Sequence, residues 1–369
     1  MIDITDTFDT SDTSDTSGTS DTSDTSYPNP VSLFRFLIRR LLLTIPILFG
    51  ITLLSFVIAR AVPSDPIVAN LGQRAMSDPK IVAAFRAEWG LDKPPHEQYL
   101  TYIGNLLQGN LGKSIKSRRP VIEDLKAFLP ATIELAASSI LVGILMGVTL
   151  GVISAVNRNR WVDHIARFIS LIGVSLPVFW LALVLLFVFY SRLGWVAGPG
   201  RLDPGMIAPP RLTGLMTIDA TLAGQWSTLG NALSHLILPS ITLGVFTAGL
   251  ITRVTRSAML EVLGNDYIRT ARAKGLYERM VILKHAFRNA LVPVVTVIGF
   301  SFANLLAGTV LTEKIFSWPG IGSYAFQAST TLDFQAIMGV SLLIAVIFIA
   351  TNLVVDLLYF VLDPRMRKA

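Results

Sequence analysis

Residues 135–157 read Leu135-Ala-Ala-Ser-Ser-Ile140-Leu-Val-Gly143-Ile-Leu-Met-Gly147-Val-Thr-Leu-Gly151-Val-Ile-Ser-Ala-Val-Asn157, and no position carries a charge. A buried helix of a soluble domain rarely stays uncharged for so long, whereas about 20 apolar residues in one helix cross a bilayer. Residues 168–191 and 289–312 are likewise uncharged. Six apolar stretches follow one another, at about 38–59, 132–156, 166–190, 235–255, 290–312 and 336–361. The fourth is the weakest, because Pro239 and Gly244 interrupt it. Pro46 and Pro177 lie in other stretches, which membranes tolerate when neighbours satisfy the freed carbonyl. The expectation is an all-α integral membrane protein with six transmembrane helices.

Composition agrees. Hydrophobic residues make up 52% and charged residues 15% of the 369, too few polar groups to cover a soluble protein of this size. The absence of cysteine excludes disulfides, thiolate metal sites and cysteine nucleophiles. The net charge of +6 hides a split. Residues 1–30 hold seven Asp and no Lys or Arg, which leaves 31 basic against 18 acidic residues, or +13, in the rest. Residues 5–26 are nearly a three-residue repeat of Asp, Thr and Ser. They bury too little apolar surface to offset their ordering entropy and are expected to be disordered. With neither a basic nor an apolar region, the tail does not read as a signal peptide. It is either a regulatory tail or a repeat without a role, and removing residues 1–26 is expected to leave activity unchanged.

The basic residues set an orientation. The N-terminal flank, the loop after the second stretch, the loop after the fourth and the C-terminus hold 17 of the 31 Lys and Arg. These segments are expected in the cytoplasm together with both termini, and nucleic acid is not needed to explain the excess. The chain divides into a tail (1–30), a first span (31–60), an outer loop (61–131) and a five-helix core (132–369). Within the outer loop, 81–89 and 98–107 are expected as short amphipathic helices on the membrane surface, the second with Leu100, Ile103, Leu106 and Leu107 on one side.

Several chemistries lack their residues. Gly112-Lys113-Ser114 resembles the end of a phosphate-binding loop, but the required first glycine is Leu107. His96, His164, His235 and His285 are scattered, without the spacing of a zinc site. Glu134 and Asp356 lie near span ends and not at mid-bilayer, where an acid would suggest a proton relay. No cofactor, metal or catalytic residue is expected on this chain. A stand-alone secondary transporter would need ion-coordinating groups at mid-bilayer, and a membrane-embedded hydrolase would need clustered His, Asp or Glu. Ser175, Thr242, Gly299, Ser301, Asn304 and Gly308 are candidates to line a central path, with close helix packing through small residues as the competing account.

Residues 256–290 stand apart. Asn265 or Asp266 is suited to cap a helix over about 267–274, and Gly275 to end it in the left-handed conformation. A second helix from about Tyr277 runs into the fifth span. Tyr267, Ala271 and Lys274 share a face of the first helix, and eight basic residues crowd the loop when Arg253 just before it is included. The result is a compact knob that another protein could grip.

Tyr267-Ile-Arg-Thr-Ala-Arg-Ala-Lys-Gly275, followed by His285-Ala-Phe-Arg-Asn-Ala-Leu-Val-Pro293, resembles the cytoplasmic coupling loop of ABC importer permeases. It is most similar to the B-type subunit of the peptide/nickel branch. Gly90-Leu-Asp-Lys-Pro94, Gly109-Asn-Leu-Gly112, Glu313-Lys-Ile-Phe-Ser-Trp-Pro-Gly-Ile-Gly322 and Asp363-Pro-Arg365 extend the resemblance over about residues 33–369. Aligned on Gly275, Arg269, Thr270 and Ala271 replace the Glu-Ala-Ala of the broad importer consensus, and His285, Ala286, Phe287 and Arg288 replace its Ile-x-Leu-Pro. The resemblance implies a bacterial or archaeal plasma-membrane permease working with a second homologous permease, two ATPase subunits that hold ATP and Mg, and an extracytoplasmic solute-binding protein. It implies that Asp266, Tyr267, Arg269, Thr270, Ala271, Arg272, Ala273, Lys274, Gly275 and Leu276 meet the ATPase. The implied cargo is a di- or oligopeptide, with nickel or a glutathione-like compound as alternatives.

Overall fold

The computed structural model describes residues 33–61, 78–90, 92–307 and 309–362. The tail 1–30, the prolines Pro63 and Pro66, Gly308 and the terminal Asp363-Pro-Arg365 lie outside the described residues. The described elements are helical: α1 (Leu33–Ala61), α2 (Pro79–Glu88), α3 (Pro95–Leu107), α4 (Val121–Val156), α5 (Trp161–Ser175), α6 (Val178–Arg192), α7 (Met216–Leu222), α8 (Trp226–Leu263), α9 (Asp266–Ala273), α10 (Glu278–Ala307), α11 (Val310–Ile315), α12 (Ile321–Thr330) and α13 (Phe334–Leu362). Five of them, α1, α4, α8, α10 and α13, are each long and apolar enough to cross a bilayer, and α5 with α6, a bent pair, gives a sixth if the two are counted as one span.

The third apolar stretch was expected as one helix. Instead α5 and α6 meet at 100°. Pro177 disfavours helical backbone at the residue before it, and Leu176 is extended at φ −73°, ψ 131°. Pro130, in contrast, stays inside α4. Proline there leaves the carbonyl four residues back without its helical donor. Arg211 donates to the Lys126 and Ala127 carbonyls in this turn. Helix α4 begins at Val121, within the segment 61–131 expected as the outer loop.

The fourth stretch, weakest by sequence, forms the central helix. Some 72% of the most apolar window of α8 is buried, against 17% for α1. Its main partner is α4. Gly143, Gly147 and Gly151 of α4 let α8 approach: a Cβ on Gly147 would lie 2.7 Å from Ile251 Cβ and 2.9 Å from the Ala248 carbonyl. In a bilayer, where no hydrophobic effect drives helices together, such close van der Waals packing holds them. Gly244, counted as an interruption, does the same from α8, where Ser139 and Val142 come close.

Both acids near the membrane are structural ties. Glu134 accepts from Arg201 and from the Thr217 amide and hydroxyl, pinning the 199–217 segment to α4. Asp356 pairs with Arg40, joining α13 to α1. Glu313 is fully buried and accepts from the Thr132 hydroxyl at 2.9 Å and the Ser323 amide at 2.7 Å, placing a carboxylate at the N-terminus of α12. Helix α3 uses only part of the expected face. Tyr102, Ile103 and Leu106 pack on Phe56 and Met338, while Leu100 and Leu107 are exposed.

Candidate functional site

The 256–290 segment closes one end of the bundle. The chain leaves α8 through Gly264, and Asn265 takes the extended conformation of an N-cap without a side-chain hydrogen bond. Asp266 opens α9, where a carboxylate suits the exposed amides of the first turn. The C-terminus is a complete Schellman closure. The Gly275 amide donates to the Arg272 carbonyl (2.9 Å), the Leu276 amide to the Ala271 carbonyl (3.4 Å), and Gly275 sits at φ +75°. Tyr277 then starts α10, which carries one π-helical turn at Val281–Phe287.

The knob is seated on a small apolar core. Ile268, Met259 and Val281 are fully buried there among Ala155, Ala258, Ala286 and Ala290. Ala271 belongs to this seat and not to an outer face with Tyr267 and Lys274, as its spacing had suggested. It lies one turn after Ile268, on the same side of α9, and is buried. The outer surface comprises Asp266, Tyr267, Arg269, Thr270, Arg272, Ala273, Lys274, Gly275 and Leu276, all exposed. Arg272 holds Glu278 through two hydrogen bonds, Nη2 to Oε1 at 2.7 Å and Nε to Oε2 at 3.1 Å, which braces α9 against the start of α10. Asn289 donates to the Tyr267 hydroxyl at 2.8 Å, so the one aromatic ring of α9 is oriented from α10.

A buried ion pair ties this end to the bundle. Asp163 of α5 is fully buried and accepts two hydrogen bonds from Arg256 of α8, both at 2.9 Å. It also accepts from the Ser154 hydroxyl (2.5 Å) and the Asn159 amide (3.0 Å). Arg256 had been counted among the basic residues of the knob, yet it points inward and locks α4, α5 and α8 together where α8 leaves the bundle. The pair thereby links the end of α8 that leads to the knob with α4 and α5. Neither this pair nor the glycine seam was singled out from sequence. The spacing of four in Gly143, Gly147 and Gly151 is the signal that marks the seam. The pair leaves no such signature, because its members are far apart in the chain.

The path candidates separate. Ser301 and Asn304 line a cavity of about 640 Å³ between α6, α8, α10 and α11, with Thr247, Phe300 and Thr312. Thr242 is buried and donates to the Leu238 carbonyl of its own helix (2.8 Å). A Cβ on Gly299 would overlap Val355 of α13, so Gly299 serves helix packing. Ser175 is exposed at the α5–α6 bend, and Gly308 lies outside the described residues. Among the described residues no group of three or more His, Asp or Glu is placed to hold a metal ion. His235 instead lies between the Gly198 carbonyl (2.9 Å) and Asp203 (3.2 Å).

Residues 147–368 match the family of binding-protein-dependent transport system inner membrane components, and residues 33–136 match the N-terminal component of such membrane proteins. The chain is 46% identical to a di/tripeptide transport system permease of Pseudomonas aeruginosa over 90% of this chain and 98% of the relative. It is 44% identical to a probable D,D-dipeptide transport system permease of Escherichia coli K12, over 86% and 93%. A glutathione transport system permease of Escherichia coli is 38% identical over 90% and 98%. With more than half of its length matched and relatives far above 30% identity, the chain belongs to the binding-protein-dependent transport system inner membrane component family.

Proposed function

We propose that this chain is a transmembrane subunit of an ATP-binding-cassette importer that moves di- or oligopeptides inward. It would form the path with a second permease subunit, take cargo from an extracytoplasmic binding protein, and draw energy from two separate ATPases. The observation that carries this reading is the knob itself. An exposed α9, closed at Gly275, rests on a buried apolar seat and is linked through Arg256 and Asp163 to three spans. Pressure on Tyr267, Arg269, Thr270, Arg272 and Lys274 would therefore move helices and not merely bend a loop. The basic excess supports a cytoplasmic position for the knob and both termini in a plasma membrane. ATP and Mg would sit on the partners.

The peptide cargo rests on the printed roles of the more similar relatives, the glutathione carrier being more distant. The test is reconstitution in proteoliposomes with the co-purifying subunits. ATP-dependent uptake of labelled dipeptide that requires the binding protein is expected. Uptake by this chain alone, without ATP, would refute the proposal. Ligand identification on the cognate binding protein separates peptide, glutathione-like and nickel cargo.

A further inference from the structure

At the end of the bundle opposite the knob, a cavity of about 130 Å³ lies between α1, α3 and α13. Its walls include Phe56 and Arg60 of α1, Trp89, Tyr102 of α3, Gly112 and Gln335 of α13. Among the described residues Arg60 and Lys93 are its charged lining residues, and no Asp or Glu lines it. The guanidinium of Arg60 sits 5.8 Å from the centre of the Phe56 ring and 5.1 Å from that of Phe334, contacts that orient a cation without neutralising it.

Three side-chain oxygens on the lining residues are already engaged. Gln98 Oε1 accepts from Arg60, Asn110 Oδ1 from the Gly112 amide (2.9 Å) and Gln335 Oε1 from the Lys113 amide (3.0 Å). Two donors on the lining residues are left over. The Trp89 indole N–H and the Tyr102 hydroxyl are buried with no partner among the described residues, and Tyr102 as a whole is only 8% exposed. Burial, with Tyr99 adding to it, pushes the Tyr102 phenol up to about 12, so it keeps its proton to donate. A buried indole N–H without an acceptor costs free energy, and indole cannot accept. Two cations and two orphan donors on the residues around one cavity, with no acid among its described lining residues, ask for a negatively charged acceptor.

We infer that this cavity binds a small oxyanion, the carboxylate of a free acid or the phosphate of a lipid headgroup, between Trp89, Tyr102, Arg60 and Lys93. The bound anion bridges α1, α3 and the segment between α2 and α3, and neutralises Arg60. It lies at the other end of the bundle from the knob and does not depend on the cargo assigned above.

The test uses the complex purified from membranes through this chain. Hydrogen exchange read by mass spectrometry on peptides spanning 86–115 is compared in acetate, in phosphate and in chloride at equal ionic strength. Native mass spectrometry reports retained phospholipid. Protection by acetate or phosphate that is about tenfold weaker in apparent affinity in Tyr102→Phe and in Lys93→Met supports a free anion. An anionic phospholipid retained by the wild type and lost from Lys93→Met supports the lipid source. Tyr102→Phe removes only a hydroxyl, so it preserves the fold even if Arg60 variants do not. No anion-specific protection together with no retained lipid, or equal effects in wild type and both variants, overturns the inference and leaves the cavity to water.

Discussion

Gly275 is where a single atom tests the knob. Its φ of +75° lies in the left-handed region, and no atom lies within 4 Å of where a Cβ would sit. The consequence of substitution is therefore conformational and not steric. An L-residue in this region costs about 1–2 kcal/mol, and a β-branched one is worse, within a range of about 1–3 kcal/mol for strained backbone. Asparagine tolerates the region better than alanine. Gly275→Asn should therefore lose least, Gly275→Ala about 1 kcal/mol, and Gly275→Val about 2–3 kcal/mol. The Schellman bonds from Gly275 and Leu276 are what the strain opens. At 1.4 kcal/mol per tenfold, the valine variant shifts the closed helix end by about 30- to 150-fold. The apolar seat of Ile268, Met259 and Val281 does not involve Gly275, so insertion and folding persist. The assay is substrate-stimulated ATP hydrolysis and uptake in reconstituted complexes, with subunit stoichiometry measured beside it. The expected order of lost coupling is Asn, then Ala, then Val. Normal uptake and normal assembly in Gly275→Val would refute the role of the knob. Equal loss in all three would refute the conformational cause, because it would point to a partner packed against the bare glycine with no room for any side chain.

Other perturbations separate packing from coupling. Arg256→Met leaves the Asp163 carboxylate buried without its main partner, and breaking such a pair costs about 3–5 kcal/mol; thermal unfolding in detergent should show this, and a double variant with Asp163→Leu should recover part of it. Gly147→Val drives a side chain into Ile251 and the Ala248 carbonyl, so the protein should be lost from membranes by immunoblot, while Gly230→Val, at a site with no neighbour within 4 Å, should be retained. For Asp219, burial alone would raise the carboxyl, but hydrogen bonds from Thr213 and Gly214 outweigh it and hold the group below its ordinary value. A depressed acid stabilises the fold above its unfolded value and loses that contribution as pH falls through its folded value. Asp219→Asn should therefore flatten the loss of stability of wild type below about pH 4, and an unchanged acid limb would count against the assignment.

Length, charge placement and apolar continuity determined the membrane class, the number of apolar stretches and the existence of the knob. Those properties follow from transfer free energies that each residue carries with it, and from local chemistry such as the left-handed glycine at 275. Sequence could not say which small residues pack and which line a path. Gly299 and Ser301 lie two positions apart, yet Gly299 meets Val355 and Ser301 lines a cavity, because a helix turns them to different neighbours. Nor could it rank the prolines, since Pro130 and Pro177 differ mainly in what surrounds the opened turn. The Asp163–Arg256 lock, the seat under α9 and the donor-lined cavity at Tyr102 each join residues distant in the chain. They exist only once α4, α5 and α8, or α1, α3 and α13, have come together, so tertiary packing decided them.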